Sequence, residues 1–257
     1  MISQQDIVHK MIKDSIGKEF NENLTKADMK SVRNLDLAAM EIADESLKFI
    51  RRTTEVETLF LDGTWINGSG LKYLKDFNQL KRLYLFRTRV NDRGLTTFKV
   101  LKNLKNLEVL SLSETRISNS GINHIKKLEN LKELDISRNK IMDKGMKYLA
   151  NFKHLEVLNV SGTQITDAGV KYIGNMAGLK ILYLSDTHMT DKGLKEIKKL
   201  NNLEMLYLDG TQISDAGLEN LTGLTSLEWL SLYKTNVTRK GMADIQKKLP
   251  SCVVISR

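Results

Sequence analysis

Leucines recur along the chain with a period of about 24 residues, and a glycine accompanies almost every step. The leucine column consists of Leu35, Leu59, Leu83, Leu110, Leu134, Leu158, Leu182, Leu206 and Leu230. The glycines are Gly70, Gly94, Gly121, Gly145, Gly169, Gly193, Gly217 and Gly241, and the one longer step is the 27 residues after Gly94. Self-similarity at a period of this length indicates a repeat architecture.

A short strand is predicted in each repeat. Leu206 and Leu208 alternate with Met205, Tyr207 and Asp209. Successive side chains of a strand point to opposite faces, so this alternation predicts one buried face and one outward face. Equivalent strands of successive repeats are expected to stack about 4.8 Å apart in a parallel sheet.

A short α or 3₁₀ helix is predicted to follow each strand, because leucines then recur at every third position. In one repeat these are Leu218, Leu221, Leu224 and Leu227. Asp215 is expected to cap the first free N–H groups of this helix, and Asp167 and Asp191 are interpreted in the same way. Gly217 has no Cβ, which would let the coil beneath it come close.

The repeats predict one continuous domain with three parts. Nine repeats occupy residues 32–249, a helical N-terminal cap occupies 1–31, and a capping strand lies in 250–257. Caps are needed because each coil buries its leucines only against neighbouring coils. The three extra residues near Lys99–Leu101 are expected to lengthen one outer helix by almost a turn. The cap helix is expected to use Ile7, Val8, Met11, Ile12, Ile16 and Phe20.

The segment Thr163-Gln164-Ile165-Thr166-Asp167-Ala168-Gly169 resembles the bacterial Thr-x-Ile-Thr-Asp-x-Gly type of leucine-rich repeat. The resemblance covers more than four fifths of the chain. Leu24-Thr25-Lys26-Ala27-Asp28-Met29 is similar to the start of the helical cap of internalin-type proteins. The resemblance implies an α/β fold: a right-handed solenoid, shaped as a horseshoe or arc, with a parallel concave sheet and short helices on the convex side. It also implies that Thr211 bonds backbone groups of adjacent coils.

Composition narrows the function classes. The chain is 41% hydrophobic and 28% charged, which is typical of globular proteins, and no apolar run is long enough to span a membrane. The first residues, Met1–Asp6, do not resemble a signal peptide, and Cys252 is the single cysteine. These features suit a cytoplasmic protein, while an exported or translocated protein whose signal was removed would look the same.

No constellation of catalytic or metal-binding residues is visible, and we expect no enzyme activity, metal or cofactor. His9, His124, His154 and His188 lie at unrelated phases of the repeat, and none pairs at a metal-binding helical spacing. Gly68-Ser69-Gly70 belongs to a repeat corner rather than a phosphate loop. Cys252 has no base near it in sequence and is expected to be a buried structural thiol.

Aromatic residues concentrate at the outward positions of the predicted strands, where seven of the chain's sixteen aromatics lie. The middle strands carry small polar residues there, so strand propensity alone does not explain the distribution. We expect a binding site on this face. One group consists of Phe60, Tyr84 and Phe86 with Arg82 and Arg87. The other consists of Tyr183, Tyr207, Trp229 and Tyr233 with Asp186, Asp209 and Lys234.

The net charge of +9 does not lie on this face. The outward strand positions carry four basic and seven acidic residues, so the excess of lysine falls on the caps, loops and outer helices. Lys195, Lys198 and Lys199 are examples. A track for a phosphate backbone requires one continuous basic surface, so neither nucleic acid nor a membrane is the expected partner.

The predicted function is therefore non-catalytic recognition of a protein or peptide on the concave face. Asp186 and Asp209 would favour a ligand that carries Lys or Arg. Two alternatives remain open: a cytosolic scaffold, adaptor or translocated effector, and an anion-binding surface on the convex lysines. The first alternative would need a docking motif, and none is visible in the caps.

Overall fold

The structure, a computed structural model, describes residues 3–19, 21–99 and 104–256. The chain divides into two compact units, Met1–Leu131 and Lys132–Arg257. Phe20, and most of the segment predicted to lengthen an outer helix, lie outside the described residues. The division into cap, nine repeats and final strand stays a prediction.

The first unit begins with two helices, α1 (Gln4–Ser15) and α2 (Lys26–Ser31). Its described strands are β1 (Asn34–Asp36), β2 (Thr58–Phe60), β3 (Arg82–Tyr84) and β4 (Val109–Ser111). The helices behind them are α3 (Asp92–Leu95), α4 (Asn119–Ile125) and 3₁₀ turns at Asp44–Phe49, Ser69–Leu74, Thr96–Lys99 and Leu104–Asn106.

The second unit repeats the same strand–helix coil. Its described strands are β5 (Glu133–Asp135), β6 (Val157–Asn159), β7 (Ile181–Tyr183), β8 (Met205–Tyr207), β9 (Trp229–Ser231) and β10 (Val253–Ile255). Its helices are α5 (Asp143–Met146), α6 (Asp167–Ile173), α7 (Asp191–Ile197), α8 (Asp215–Leu218) and α9 (Arg239–Lys248), with 3₁₀ turns at Lys147–Asn151 and Glu219–Leu221.

Within each unit, consecutive strands pair in parallel with equivalent repeat positions opposite each other. In the second unit, Leu158 lies opposite Leu182, and Leu182 lies opposite Leu206. All nine leucines of the column are 0% exposed, which matches the inward phase predicted from the alternation. The predicted fold class, parallel strands with short helices behind them, is confirmed.

The N-terminal helix α1 buries one apolar side. Val8 and Ile12 are 0% exposed, as the amphipathic pattern predicts. Ile7, Met11 and Ile16 are half-buried, and the helix ends at Ser15, so Ile16 lies just beyond its last turn. The helix therefore covers the apolar end of the first coil mainly through two side chains.

The repeated aspartates join successive coils instead of capping their own helices, so the predicted capping role is wrong. Thr190 is the N-cap residue of α7, and its backbone N–H and hydroxyl each donate to the Asp167 carboxylate at 2.8 Å. The N–H of Gly193 donates to the same carboxylate at 2.9 Å. The same link joins Asp92 to Ser118, Asp143 to Thr166, Asp191 to Ser214, and Asp215 to Thr238.

The same link requires glycine at Gly217. A Cβ there would lie 2.2 Å from a carboxylate oxygen of Asp191 in the preceding coil. A Cβ on Gly70 or Gly94 would instead meet backbone atoms of the preceding coil. The close approach of the preceding coil matches the prediction.

The threonines at the asparagine position of the repeat bond within their own coil. The Thr211 hydroxyl donates to the Leu208 carbonyl, and the Thr163 hydroxyl donates to the Val160 carbonyl at 2.6 Å. The bond between adjacent coils that the resemblance implied is therefore not the one these hydroxyls make. Each hydroxyl satisfies a carbonyl where the chain turns away from the strand.

Leu158→Ala and Leu182→Ala should each lower the free energy of unfolding by about 2–5 kcal/mol, because each removes a buried side chain and leaves a cavity. Urea denaturation measures this, with exposed Gln164→Ala as the control. A loss below about 1 kcal/mol for either leucine would contradict the assignment of the core.

A double-mutant cycle on Asp191→Ala and Ser214→Ala should give a coupling energy of about 1–3 kcal/mol, because the Ser214 hydroxyl donates a charge-assisted hydrogen bond to Asp191. The bond from the Ser214 backbone N–H remains in Ser214→Ala and does not enter this coupling. Urea denaturation of the four proteins supplies the measurement. The control cycle pairs Asp191→Ala with Ser226→Ala, an exposed serine, and should show additivity. Additivity in both cycles would mean that the bond between the Ser214 hydroxyl and the Asp191 carboxylate contributes nothing to stability.

Candidate recognition surface on the strands

The candidate site is the outward side of the strands, which we call the strand face. Each of the strands β1 to β9 directs its central leucine into the core and its first and third residues to the opposite side, as Leu206 between Met205 and Tyr207 illustrates. The predicted partner residues lie on or beside this face. The structure places them in two clusters, one within each unit.

The first-unit cluster consists of Phe60, Arg82, Tyr84, Phe86 and Arg87. Phe60 and Tyr84 lie opposite each other on β2 and β3, and their rings stack with centroids 4.8 Å apart and planes 7° apart. The Arg87 guanidinium lies 4.9 Å from the centroid of the Phe86 ring. Parallel pairing of equivalent positions brings these rings together, because residues 24 apart in sequence become neighbours in the sheet.

Arg82 and Arg87 differ in whether the guanidinium charge is already paired with a carboxylate of this protein. Nε of Arg87 donates to the Glu114 carboxylate at 2.6 Å, so this charge is already paired on the surface. Arg82 is exposed on β3. Of the two arginines, Arg82 therefore offers the charge that a partner can use.

The second-unit cluster consists of Tyr183, Asp186, Tyr207, Asp209, Trp229 and Tyr233. Tyr183 and Tyr207 lie opposite each other on β7 and β8, and their rings stack with centroids 4.4 Å apart. Burial raises the pKa of the Tyr183 hydroxyl above its ordinary value, and the neighbouring Tyr207 adds to the shift. The Tyr183 hydroxyl therefore stays neutral at physiological pH.

The aromatic side chains of this cluster are unequally exposed. Tyr233 is 42% exposed, whereas Tyr183, Tyr207 and Trp229 are half-buried. Of these four aromatic side chains, Tyr233 is therefore the most exposed. The indole nitrogen of Trp229 is buried and has no hydrogen-bond acceptor within the described part of the chain. Trp229 thus presents part of its ring to solvent, and not its N–H.

Two exposed apolar residues of this surface were missed from the sequence. Val253 is 50% exposed and Ile255 is 38% exposed, and they lie opposite Trp229 and Ser231 on the adjacent strand. The signal was present, because Val254 follows Leu230 by 24 residues and so continues the leucine column.

An apolar column runs along the strand face of the second unit. It starts on β6 and continues one residue per strand to β10, with each member opposite the next. Its members are Val157, Ile181, Met205, Trp229 and Val253. Together with Tyr233 and Ile255, this column gives the second unit a mostly apolar strand face.

Asp209 and Asp186 have different roles. One oxygen of Asp209 accepts hydrogen bonds from the Tyr233 backbone N–H at 2.7 Å and from the Ser231 hydroxyl. The other lies 3.3 Å from the Ser185 hydroxyl. Asp209 is therefore engaged by groups of its own protein in the turn after β8, whereas Asp186 is exposed. A role in partner binding stays a prediction for both residues.

The last outward position of each repeat is a turn position rather than a strand position. Arg87, Asp186 and Lys234 have φ of 53°, 54° and 54°, in the left-handed region. Glycine occupies the same position in other repeats, as at Gly63 and Gly210. These three charged side chains therefore project from the turn that follows the strand.

The described residues were also compared with the requirements of a metal site, a membrane-spanning helix and a reactive thiol. Among them, no three His, Cys, Asp or Glu side chains lie close enough together to hold a metal ion. None of the described helices is both long enough and apolar enough to cross a membrane. Cys252 is 2% exposed, and burial raises the pKa of its thiol to about 11.

Comparisons with known proteins agree with this geometry. Residues 127–150 and 153–213 each match a family model described as leucine rich repeat. No curated protein sequence matches the chain. The matched residues are leucine-rich repeats, and the strand–helix coils above have the same fold. The 24-residue subtype stays a prediction.

Solved structures share the fold at low sequence identity. Internalin C2 from Listeria monocytogenes is 20% identical, with a TM-score of 0.61 over 98% of this chain and 92% of that one. A leucine-rich-repeat protein of Leptospira interrogans is 23% identical, with a TM-score of 0.63 over 90% of this chain and 62% of that one. A TDR receptor is 15% identical, with a TM-score of 0.60 over 90% of this chain and 44% of that one. The chain therefore has an internalin-like fold.

Cys252 should react slowly with iodoacetamide at pH 8 in the folded protein, by a factor of about 100 relative to the protein unfolded in urea. A thiol pKa of about 11 leaves little of the reactive thiolate at that pH, and burial restricts access further. Mass spectrometry of the alkylated fraction over time measures both rates, with free cysteine as the control for the effect of urea. Equal rates in the two states would show that the thiol is accessible.

Proposed function

We propose that the protein is a non-catalytic recognition module whose strand face binds a protein or peptide. The observation that carries the proposal is the apolar strand face of the second unit, where Trp229 lies on β9 beside Val253 and Ile255 on β10. Tyr233 lies in the turn that follows β9. Leucine-rich-repeat folds are common protein–protein interaction modules, and their stacked repeats provide extended binding surfaces.

Side-chain chemistry supports this use of the surface. Trp and Tyr are enriched among residues that dominate binding energy, because they bury a large rigid area at little entropic cost. Tyr233 is 42% exposed and Val253 is 50% exposed, and contiguous exposed apolar residues of this kind often mark a binding site. Trp229 lies opposite Val253 on the adjacent strand and is half-buried.

The charge at the border favours a partner with basic residues. Asp186 projects from the turn after β7 and is exposed, whereas Asp209 is engaged by groups of its own protein. A single exposed carboxylate contributes more to orientation and association rate than to affinity. We therefore place Lys or Arg of the ligand near Asp186, and its apolar residues over Trp229 and Tyr233.

The first-unit cluster is a second candidate contact. Its stacked rings of Phe60 and Tyr84 lie next to Arg82, whose charge would suit an acidic side chain of a partner. Its aromatic rings are half-buried, so less apolar area is available than on the second unit.

A scaffold, an adaptor or a translocated effector would use the same faces. A protein that binds anions through its convex lysines would not use these faces.

The partner can be sought with a matched pair of baits. The wild-type chain and Trp229→Ala/Tyr233→Ala are immobilised separately and exposed to extract of the native source. Mass spectrometry then identifies proteins retained by the first bait and lost from the second. A third bait, Lys195→Glu/Lys198→Glu, changes exposed convex lysines and should retain the same proteins. Loss of the same proteins from the third bait alone would move the site to the convex side.

Trp229→Ala should weaken binding of the identified partner by about 2 kcal/mol or more, about thirtyfold in Kd, which is the usual scale of a binding hot spot. Calorimetric titration measures the change, and unchanged thermal unfolding shows that the variant is folded. Lys198→Glu should change Kd by less than about threefold. If the lysine variant loses binding and the tryptophan variant retains it, the strand face is not the binding site.

A further inference from the structure

The N-terminal part of the first unit contains an open cleft of about 500 Å³. It lies between α1, the residues that lead into α2, and the end of the 3₁₀ turn at Asp44–Phe49. The cleft is not part of the strand face. Its volume falls in the range of about 300–1,000 Å³ that is typical of small-molecule sites.

Basic side chains dominate the lining of this cleft. Five of the residues around it are basic: His9, Lys13, Lys48, Arg51 and Arg52. No Asp or Glu belongs to the described lining. The side chains of Lys13, Lys48, Arg51 and Arg52 face one depression, so their fields add and the cleft concentrates anions. Burial lowers the pKa of the His9 imidazole below its ordinary value, so His9 adds little charge at physiological pH.

Acidic residues of the cap are engaged by other partners. The Asp28 carboxylate lies 2.7 Å from Nζ of Lys18 and also accepts the Thr25 backbone N–H, and these bonds lower the pKa of its carboxyl to about 2. Asp6 accepts the Ser3 hydroxyl at 2.6 Å. In the described residues, neither Arg51 nor Arg52 forms an ion pair with a carboxylate. Their guanidinium groups are exposed and available to a ligand.

The floor of the cleft is apolar. Met29 is buried, Leu24 and Phe49 are half-buried, and all three line the cavity. The Phe49 ring meets the His9 ring edge-on with centroids 6.1 Å apart, and Nζ of Lys48 lies 5.1 Å from the Phe49 centroid. An apolar floor lowers the local dielectric and so strengthens the attraction between the basic rim and an anion.

We propose that this cleft binds a small soluble anion with linked phosphate groups. Adjacent Arg51 and Arg52 each present a planar fork of N–H donors that matches phosphate oxygens. Lys13 and Lys48 approach from two different elements, so a ligand with more than one phosphate can contact both sides of the cleft. None of the lysines of the second unit lines this cleft.

Calorimetric titration at physiological salt tests the proposal with three probes. Inorganic pyrophosphate and ATP both contain linked phosphates and should bind with Kd below about 1 mM, whereas adenosine should not bind. Absence of pyrophosphate and ATP binding at this concentration, or equal binding of adenosine, would overturn the proposal. So would binding to vesicles that contain a phosphoinositide without binding of either soluble probe.

Matched variants locate the site. Arg51→Gln/Arg52→Gln should weaken pyrophosphate binding by at least about tenfold. Lys192→Gln/Lys195→Gln removes the same charge from exposed positions of α7 and should change Kd by no more than about twofold. Unchanged thermal unfolding of both variants shows that they are folded. Equal loss in the two variants would reveal non-specific attraction to a basic protein and would overturn the proposal.

One variant distinguishes failure of the proposed anion site from failure of the proposed protein-binding strand face. Trp229→Ala should leave pyrophosphate binding unchanged, because Trp229 lies on β9 and does not line the cleft. A loss of pyrophosphate binding in Trp229→Ala would place the anion on the strand face and would overturn the assignment to the cap.

Discussion

Parallel pairing at a fixed repeat length is the constraint on which the structure depends. Leu158, Leu182 and Leu206 occupy equivalent positions in three coils and lie opposite one another in the sheet. Each is 0% exposed because its neighbours in the stack cover it. A coil alone could not bury this leucine, so the stability of every coil comes largely from the next one. The same pairing places every outward residue beside its equivalent and so creates the columns of the strand face.

A polar link accompanies the leucine column on the helix side. The carboxylate of Asp167 accepts the backbone N–H and the hydroxyl of Thr190, one coil further on, and the Gly193 N–H completes the arrangement. The Thr190 hydroxyl in turn accepts the N–H of Lys192 at the start of α7. One carboxylate therefore orients a helix start that belongs to another coil. An aspartate, a hydroxyl residue and a glycine therefore recur together. The hydroxyl residue donates hydrogen bonds to the carboxylate, and the glycine leaves the space that the carboxylate occupies.

Because equivalent residues of successive repeats lie side by side, the residue type at one repeat position determines the character of a whole surface. On the second unit, an apolar residue at the same outward position of five strands produces the column that ends at Trp229 and Val253. Sites outside the repeat arise differently. The basic cleft joins α1 to the end of a 3₁₀ turn through His9, Arg51 and Arg52, which share no repeat position. The proposed protein-binding face and the proposed anion site therefore rest on independent observations.

The sequence alone determined the features that follow from period and alternation: the strands, the buried leucine column and the outward position of Tyr207. These are local consequences of side-chain periodicity. Only the tertiary structure decided which polar groups meet. In the structure, the Asp215 carboxylate accepts the backbone N–H of Thr238 instead of capping its own helix. The Asp209 carboxylate accepts the backbone N–H of Tyr233 in the next coil. The tertiary structure also gave Arg87 a left-handed conformation. Such choices depend on distances between atoms of different coils, and a one-dimensional pattern does not contain those distances.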